Sequence, residues 1–170
     1  MMNAIETERL QLTELLEADA AFMLELLNSP AWLKYIGDRG VKTLDDAAQY
    51  ILNRIIPSYR KNGFGFYLVK LKENGVAIGI CGLVKRDGLE HIDIGFAFLS
   101  GYDGKGYGYE SASAVMQYAR EVLKLGTIVA ITTKDNVPSI NLLKKIGLHF
   151  KEMVSLPGDE EELMLFEFQE

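Results

Sequence analysis

The residues with the clearest chemical potential lie where Gly101-Tyr102-Asp103-Gly104-Lys105-Gly106-Tyr107-Gly108 joins an apolar run to a helical pattern. Glycines let a backbone turn sharply and approach a ligand closely. Free N–H groups at a helix start, together with the positive end of its dipole, form an anion site. A pyrophosphate fits that chemistry. The same glycines also suit a plain tight turn from strand to helix, and the loop alone does not choose between the two. Two phosphate fingerprints fit poorly. The Gly104-Lys105-Gly106-Tyr107-Gly108 spacing is one residue short of GxGxxG and follows antiparallel strands, and no GxxxxGK[ST] is present. Cys81, the one thiol, sits in the apolar run Ala77–Val84 with no basic or helix-terminal neighbour to lower its pKa, and reads as a small buried hydrophobe, not a nucleophile. With His91 and His149 the only histidines, no Cys/His metal cluster and no intrachain disulfide can be assembled, so no metal is expected.

Positioning such a loop takes a folded core, and the composition supplies one. The 170 residues fall in the range of one domain, here residues 1–170, and 48% hydrophobic against 25% charged with 4 Pro excludes a disordered chain. A net charge of −6 lacks the basic field that binds phosphate backbones, so nucleic acid is not an expected partner. No apolar stretch reaches the about 18–20 residues of a membrane span, and the segment from Met1 to Leu12 has neither a basic nor an apolar leader region. No membrane is expected as a partner, and the expected location is cytoplasmic.

Period-two alternation predicts strands over Glu8–Leu15, Phe64–Lys72, Val76–Arg86 and Glu90–Leu99, and short apolar runs predict Thr127–Thr133, Leu148–Ser155 and Glu162–Phe168. Asn74-Gly75 and Asp87-Gly88 read as type I′ hairpin turns. Helical spacing marks Glu17–Asn28, a helix capped by Thr43 and Asp46 that Pro57 should end or kink, Gly108–Leu123, and Asn136–Ile146 closed by Gly147. The order is α/β (α+β) with a mixed sheet.

The run from Ile92 to Ala119, with Asp135-Asn136-Val137-Pro138-Ser139-Ile140-Asn141-Leu142 further on and Ile5-Glu6-Thr7-Glu8-Arg9-Leu10 near the start, resembles the GNAT family of N-acetyltransferases over nearly the whole chain. It is most similar to the branch that acetylates protein N-terminal amines, including those of ribosomal proteins. The resemblance implies a GNAT fold: a mostly antiparallel twisted sheet of about seven strands, four helices and splayed central parallel strands. It implies acetyl-CoA as cosubstrate. The family loop Q/R-x-x-G-x-G/A falls on Asp103–Gly108, so Gly104, Lys105, Gly106, Tyr107 and Gly108 would hold the pyrophosphate. Asp103 departs from the pattern, and its carboxylate should face solvent.

By the same resemblance, the backbone of Phe96, Ala97, Phe98 and Leu99 pairs with the pantetheine arm and supplies an oxyanion donor. Asp93 stands where that branch has Glu and is the implied general base, acting directly or through water. Its flanking Ile92 and Ile94 would raise its pKa if it is buried; an exposed polar strand position is the other reading. Glu90 and His91 are weaker alternatives. Many relatives place a thiolate-donating tyrosine where Leu143 stands; Ser139, in the branch's N-x-x-S pattern, takes that role here. Asn136 is implied to bond the pantetheine amide and equally reads as a helix N-cap.

Three functions stay open: acetylation of a protein N-terminal amine, acetylation of a small amine such as a polyamine or aminoglycoside-like compound, and non-catalytic acyl-CoA sensing. Trp32, Tyr35, Asp38, Arg39 and Tyr67 could line the acceptor side, although such aromatics also serve packing. The acidic run Asp159–Glu162 reads as a solvated hairpin tip able to repel acidic acceptors. The chain is expected to act as a monomer or homodimer.

Overall fold

The computed structural model describes residues 4–170. Its sheet is built from β1 (Ile5–Glu6), β2 (Leu10–Glu14), β3 (Phe66–Leu71), β4 (Ala77–Val84), β5 (Ile92–Phe98), β6 (Thr127–Thr132), β7 (His149–Val154) and β8 (Leu163–Gln169). The strand order is β1-β2-β3-β4-β5-β6-β8-β7, and every pairing is antiparallel except β5–β6. The strand beyond the expected seven is β1, which pairs only Ile5 with Leu12 and Glu6 with Gln11.

Helices cover both faces. Between β2 and β3 run α1 (Ala20–Leu27), α2 (Pro30–Tyr35), α3 (Leu44–Tyr50) and α4 (Ile56–Asn62); α5 (Tyr107–Glu121) crosses from β5 to β6, and α6 (Val137–Lys145) follows β6. The side chains of β5 alternate accordingly. Ile92, Ile94, Phe96 and Phe98 join the core under α5, where Ala112, Val115, Met116 and Ala119 make the apolar stripe. Ala97 and Leu99 join the core under α1–α4.

Two local expectations are corrected. The capping box forms as read, with Asp46 N–H donating to Thr43 Oγ1 at 3.0 Å, but the helix does not end at Pro57. A π-helical stretch, Ile51–Ile55, precedes it, and Ile56 N–H bonds the carbonyl five residues back. The wider turn removes the clash between a proline ring and the preceding turn, so the chain continues as α4. Neither hairpin has a type I′ turn. Gly75 and Gly88 have φ of +73° and +90°, whereas Asn74 and Asp87 stay at negative φ. The first turn closes with Gly75 N–H donating to Leu71 O at 2.8 Å, one residue longer than a two-residue hairpin allows.

No described helix is long and apolar enough to cross a membrane, and among the described residues no cluster of His, Cys, Asp or Glu could hold a metal ion.

Candidate active site

The parallel pairing of β5 with β6 covers only Ile92 with Ile128 and Asp93 with Val129. Past that point the strands diverge: β5 continues against β4 to Phe98, and β6 continues against β8 to Thr132. The edge of β5 facing β6 is therefore left without a strand partner from Ile94 onward. An extended polar chain could pair there as an added strand.

A cavity of about 690 Å³ occupies the opening. Asp93, Gly95, Phe96 and Ala97 line it from β5, Thr132 and Thr133 from the end of β6, and Asn136, Ser139 and Leu143 from α6. A second cavity of about 550 Å³ lies beside α5 and α6, lined by residues such as Tyr109, Arg120 and Lys145. None of its lining residues carries a buried polar atom without a partner, so the opening between β5 and β6 is the chemically equipped one.

Asp93 is 1% exposed, so the reading of it as an exposed strand position does not hold. Burial pushes its carboxyl above the usual carboxylate range, and the nearby Arg86 guanidinium opposes that shift. Arg86 Nε donates to Asp93 Oδ2 at 3.2 Å, while Oδ1 is buried with no partner. One oxygen is thus held and the other remains an available acceptor. Glu90 is exposed and lies 3.8 Å from His91 Nε2, and neither residue lines the cavity.

Asn136 caps α6, its Oδ1 accepting from Ser139 N–H at 3.4 Å. Capping uses only that oxygen and leaves the amide N–H₂ free. The Ser139 side chain lines the same cavity as Asp93, and Leu143 behind it is buried. Thr133, which the sequence did not single out, adds a buried hydroxyl without a partner, and Trp32, which also lines the cavity, has a buried indole N–H without one.

The glycine loop lies outside that cavity lining. Gly101, Gly104 and Gly106 have φ of +95°, +71° and +83°, the left-handed region that glycine enters without strain. Gly106 is the N-cap of α5, and a Cβ on Gly104 would meet nothing within 4 Å, so this backbone is open to an approaching group. Gly108 serves packing instead, since a Cβ there would lie 3.1 Å from Leu142 Cδ2. Asp103 is exposed, as expected. Phe98 and Leu99 turn their side chains into the two cores and are absent from the cavity lining.

On the acceptor side, Trp32, Tyr35 and Arg39 line the cavity, as do Asp159, Glu160 and Glu161. Asp38 instead pairs with Lys42 at 3.2 Å. Tyr67 is fully buried, its ring stacked on Tyr59 with 5.9 Å between centroids, so it packs the core and does not line the site. Cys81 is buried, and burial pushes its thiol up to about 12.

Residues 9–149 match the acetyltransferase (GNAT) domain family. The uncharacterised N-acetyltransferase YnaD of Bacillus subtilis is 30% identical over 144 residues, covering 85% of this chain and 81% of that protein. An acetyltransferase structure from Agrobacterium tumefaciens superposes with a TM-score of 0.85 at 24% identity, covering 100% of this chain and 96% of the other. RimL, a ribosomal L7/L12 alpha-N-protein acetyltransferase solved with coenzyme A, superposes with a TM-score of 0.82 at 17% identity, covering 98% of each chain. The chain belongs to the GNAT acetyltransferase family.

Proposed function

We propose that this GNAT-family chain, acting as one N-acetyltransferase domain over residues 1–170, moves an acetyl group from acetyl-CoA to a primary amine, the N-terminal amine of a protein. The observation that carries the reading is a buried carboxylate with one free oxygen, Asp93 Oδ1, set in the same cavity as Ser139 beside the unpaired edge of β5.

The thioester supplies an acyl carbon with a good leaving group. Asp93 Oδ1 takes a proton from the acceptor ammonium, directly or through one water, so that the neutral nitrogen attacks the thioester carbon. Backbone N–H groups of the free β5 edge, over Phe96–Phe98, hold the pantetheine arm and stabilise the oxyanion that forms. Leu99, expected to share that role, has its N–H taken by Ile78 O at 2.9 Å on the β4 side. Ser139 Oγ donates a hydrogen bond to the sulfur as the C–S bond breaks. The attacking nitrogen gives up its second proton to solvent as the amide forms, the thiolate takes one proton up, and the proton on Asp93 returns to solvent. Asn136, through its free amide N–H₂, bonds the arm, and the loop from Gly104 to Gly108 receives the phosphates.

A protein N-terminus is favoured over a compact amine because, beyond the residues assigned to the coenzyme arm, the cavity is also lined by residues as separate in the chain as Tyr35 and Glu160, room that an extended peptide uses. The structural likeness to RimL supports the same choice.

The test is thiol release from acetyl-CoA against a panel of N-terminal peptides, polyamines and aminoglycoside-like amines. Release with peptides is the expected result. Release only with small amines would move the acceptor class, and coenzyme binding without any acceptor-dependent release would favour a sensor.

A further inference from the structure

The sequence drew attention to the glycine loop but not to what holds it. Arg9, just before β2, reaches across to it. Arg9 Nε donates to Glu110 Oε1 at 2.7 Å, Arg9 N–H donates to Glu110 Oε2 at 2.8 Å, and Thr7 Oγ1 donates to the same Oε2. The other arm of the guanidinium, Nη1, donates to the carbonyl of Lys105 at 2.9 Å. The guanidinium carbon also lies 4.4 Å from the centre of the Tyr107 ring, and a Cβ on Gly106 would be 3.2 Å from Arg9 Nη2. Arg9 thus bonds the loop at Lys105, lies over the Tyr107 ring and pairs with Glu110 in the first turn of α5.

Two consequences follow from peptide geometry and charge. No peptide bond in the described chain is cis, so the Gly106 N–H points to the side opposite the Lys105 carbonyl in their shared plane. Arg9 pulls that carbonyl toward itself, which turns the Gly106 N–H outward, and among the described residues this N–H has no acceptor. The second consequence concerns Glu110, the one acidic residue in the first turn of α5. Unpaired, its carboxylate would oppose an anion at that helix end, and Arg9 cancels it at contact distance.

We infer that Arg9 is a positioning residue for the coenzyme phosphates: it aims the Lys105–Gly106 peptide at them and masks Glu110. A lysine cannot replace it, since one ammonium lacks the fork that spans Glu110 and the Lys105 carbonyl together. The inference rests on the proposed coenzyme-binding role of the loop.

Calorimetry of the wild-type protein with coenzyme A separates the two claims. Failure of the wild type to bind would remove the coenzyme reading itself. Given wild-type binding, Arg9→Ala should weaken coenzyme A binding and raise KM for acetyl-CoA by at least about tenfold, with kcat at saturation within about threefold and the amine KM unchanged. Unchanged coenzyme affinity, or a fall in kcat with an unchanged acetyl-CoA KM, would overturn the assignment. If Arg9→Ala does not fold, Arg9→Lys decides. It retains a charge against Glu110, and should still weaken coenzyme A at least about threefold, whereas wild-type affinity in that variant would refute the geometric role.

Discussion

Replacing Asp93 with Asn separates a carboxylate kept for chemistry from one kept for structure. The side chain is 2% exposed and makes one hydrogen bond, at 3.2 Å, to an Arg86 side chain that is 34% exposed. Breaking a fully buried ion pair costs about 3–5 kcal/mol because the surviving charge is trapped. Here the survivor reaches water, and an Asn of the same shape still offers an oxygen to Arg86 Nε, so the cost should stay below about 2 kcal/mol. The pH dependence has a definite sign. Burial holds the folded-state pKa of Asp93 above its ordinary value. The carboxyl therefore contributes its full stability below the ordinary carboxylate pKa, and that stability is lost as pH rises through the folded-state pKa. Asn does not titrate, so the Tm of Asp93→Asn relative to wild type must rise between about pH 4 and pH 7. Activity should move the other way. Loss of a general base costs about 10²–10⁴-fold in kcat/KM, and the deficit should open as pH rises through the folded-state pKa of Asp93, because below it the wild-type carboxyl is itself protonated and accepts no proton. Parallel Tm and kcat/KM profiles against pH test both statements. Wild-type kcat/KM across the range, or a relative Tm that falls as pH rises, would refute the assignment of Asp93 as a functional carboxylate; Glu90→Gln or His91→Gln flattening the profile would relocate the base.

Gly106→Val forces a β-branched residue to φ of +83° and brings its Cβ to 3.2 Å from Arg9, so coenzyme A affinity by calorimetry should fall at least about tenfold, roughly 1.4 kcal/mol, in a protein that still folds. Ser139→Ala should slow the transfer step about 10–150-fold, the value of roughly 1.5–3 kcal/mol for a hydrogen bond to a charged group, with coenzyme binding unchanged; equal losses in both would point to a packing role. Cys81→Ala should keep kcat within about threefold and lower stability by about 1 kcal/mol, because a thiol pushed up to about 12 by burial carries no acyl group at neutral pH; a large loss of kcat would revive a covalent intermediate.

What the sequence made legible was whatever a few neighbouring residues decide among themselves. The alternation in Ile92–Phe98 assigns opposite faces to Ile94 and Asp93, and both are buried as a strand between two helical layers requires. The Thr43–Asp46 capping box is likewise a local bargain between two side chains and the backbone. Pro30 was a missed local signal. It starts α2, where its fixed φ and missing N–H cost nothing.

The remaining features are non-local. Arg9 and Glu110 are 101 positions apart and meet only because β2 and α5 pack on one another's ends. The cavity depends on something less visible still. Nothing in the types of Ile94, Gly95 or Phe96 forbids pairing with β6, yet the parallel ladder stops at Asp93 and Val129 while each strand goes on pairing with its other neighbour. Continued pairing would have closed the edge of β5 and left no space beside the free oxygen of Asp93. The site therefore follows from a divergence of two strands, a property of how β4–β5 and β6–β8 twist as separate units, and no single residue type records it.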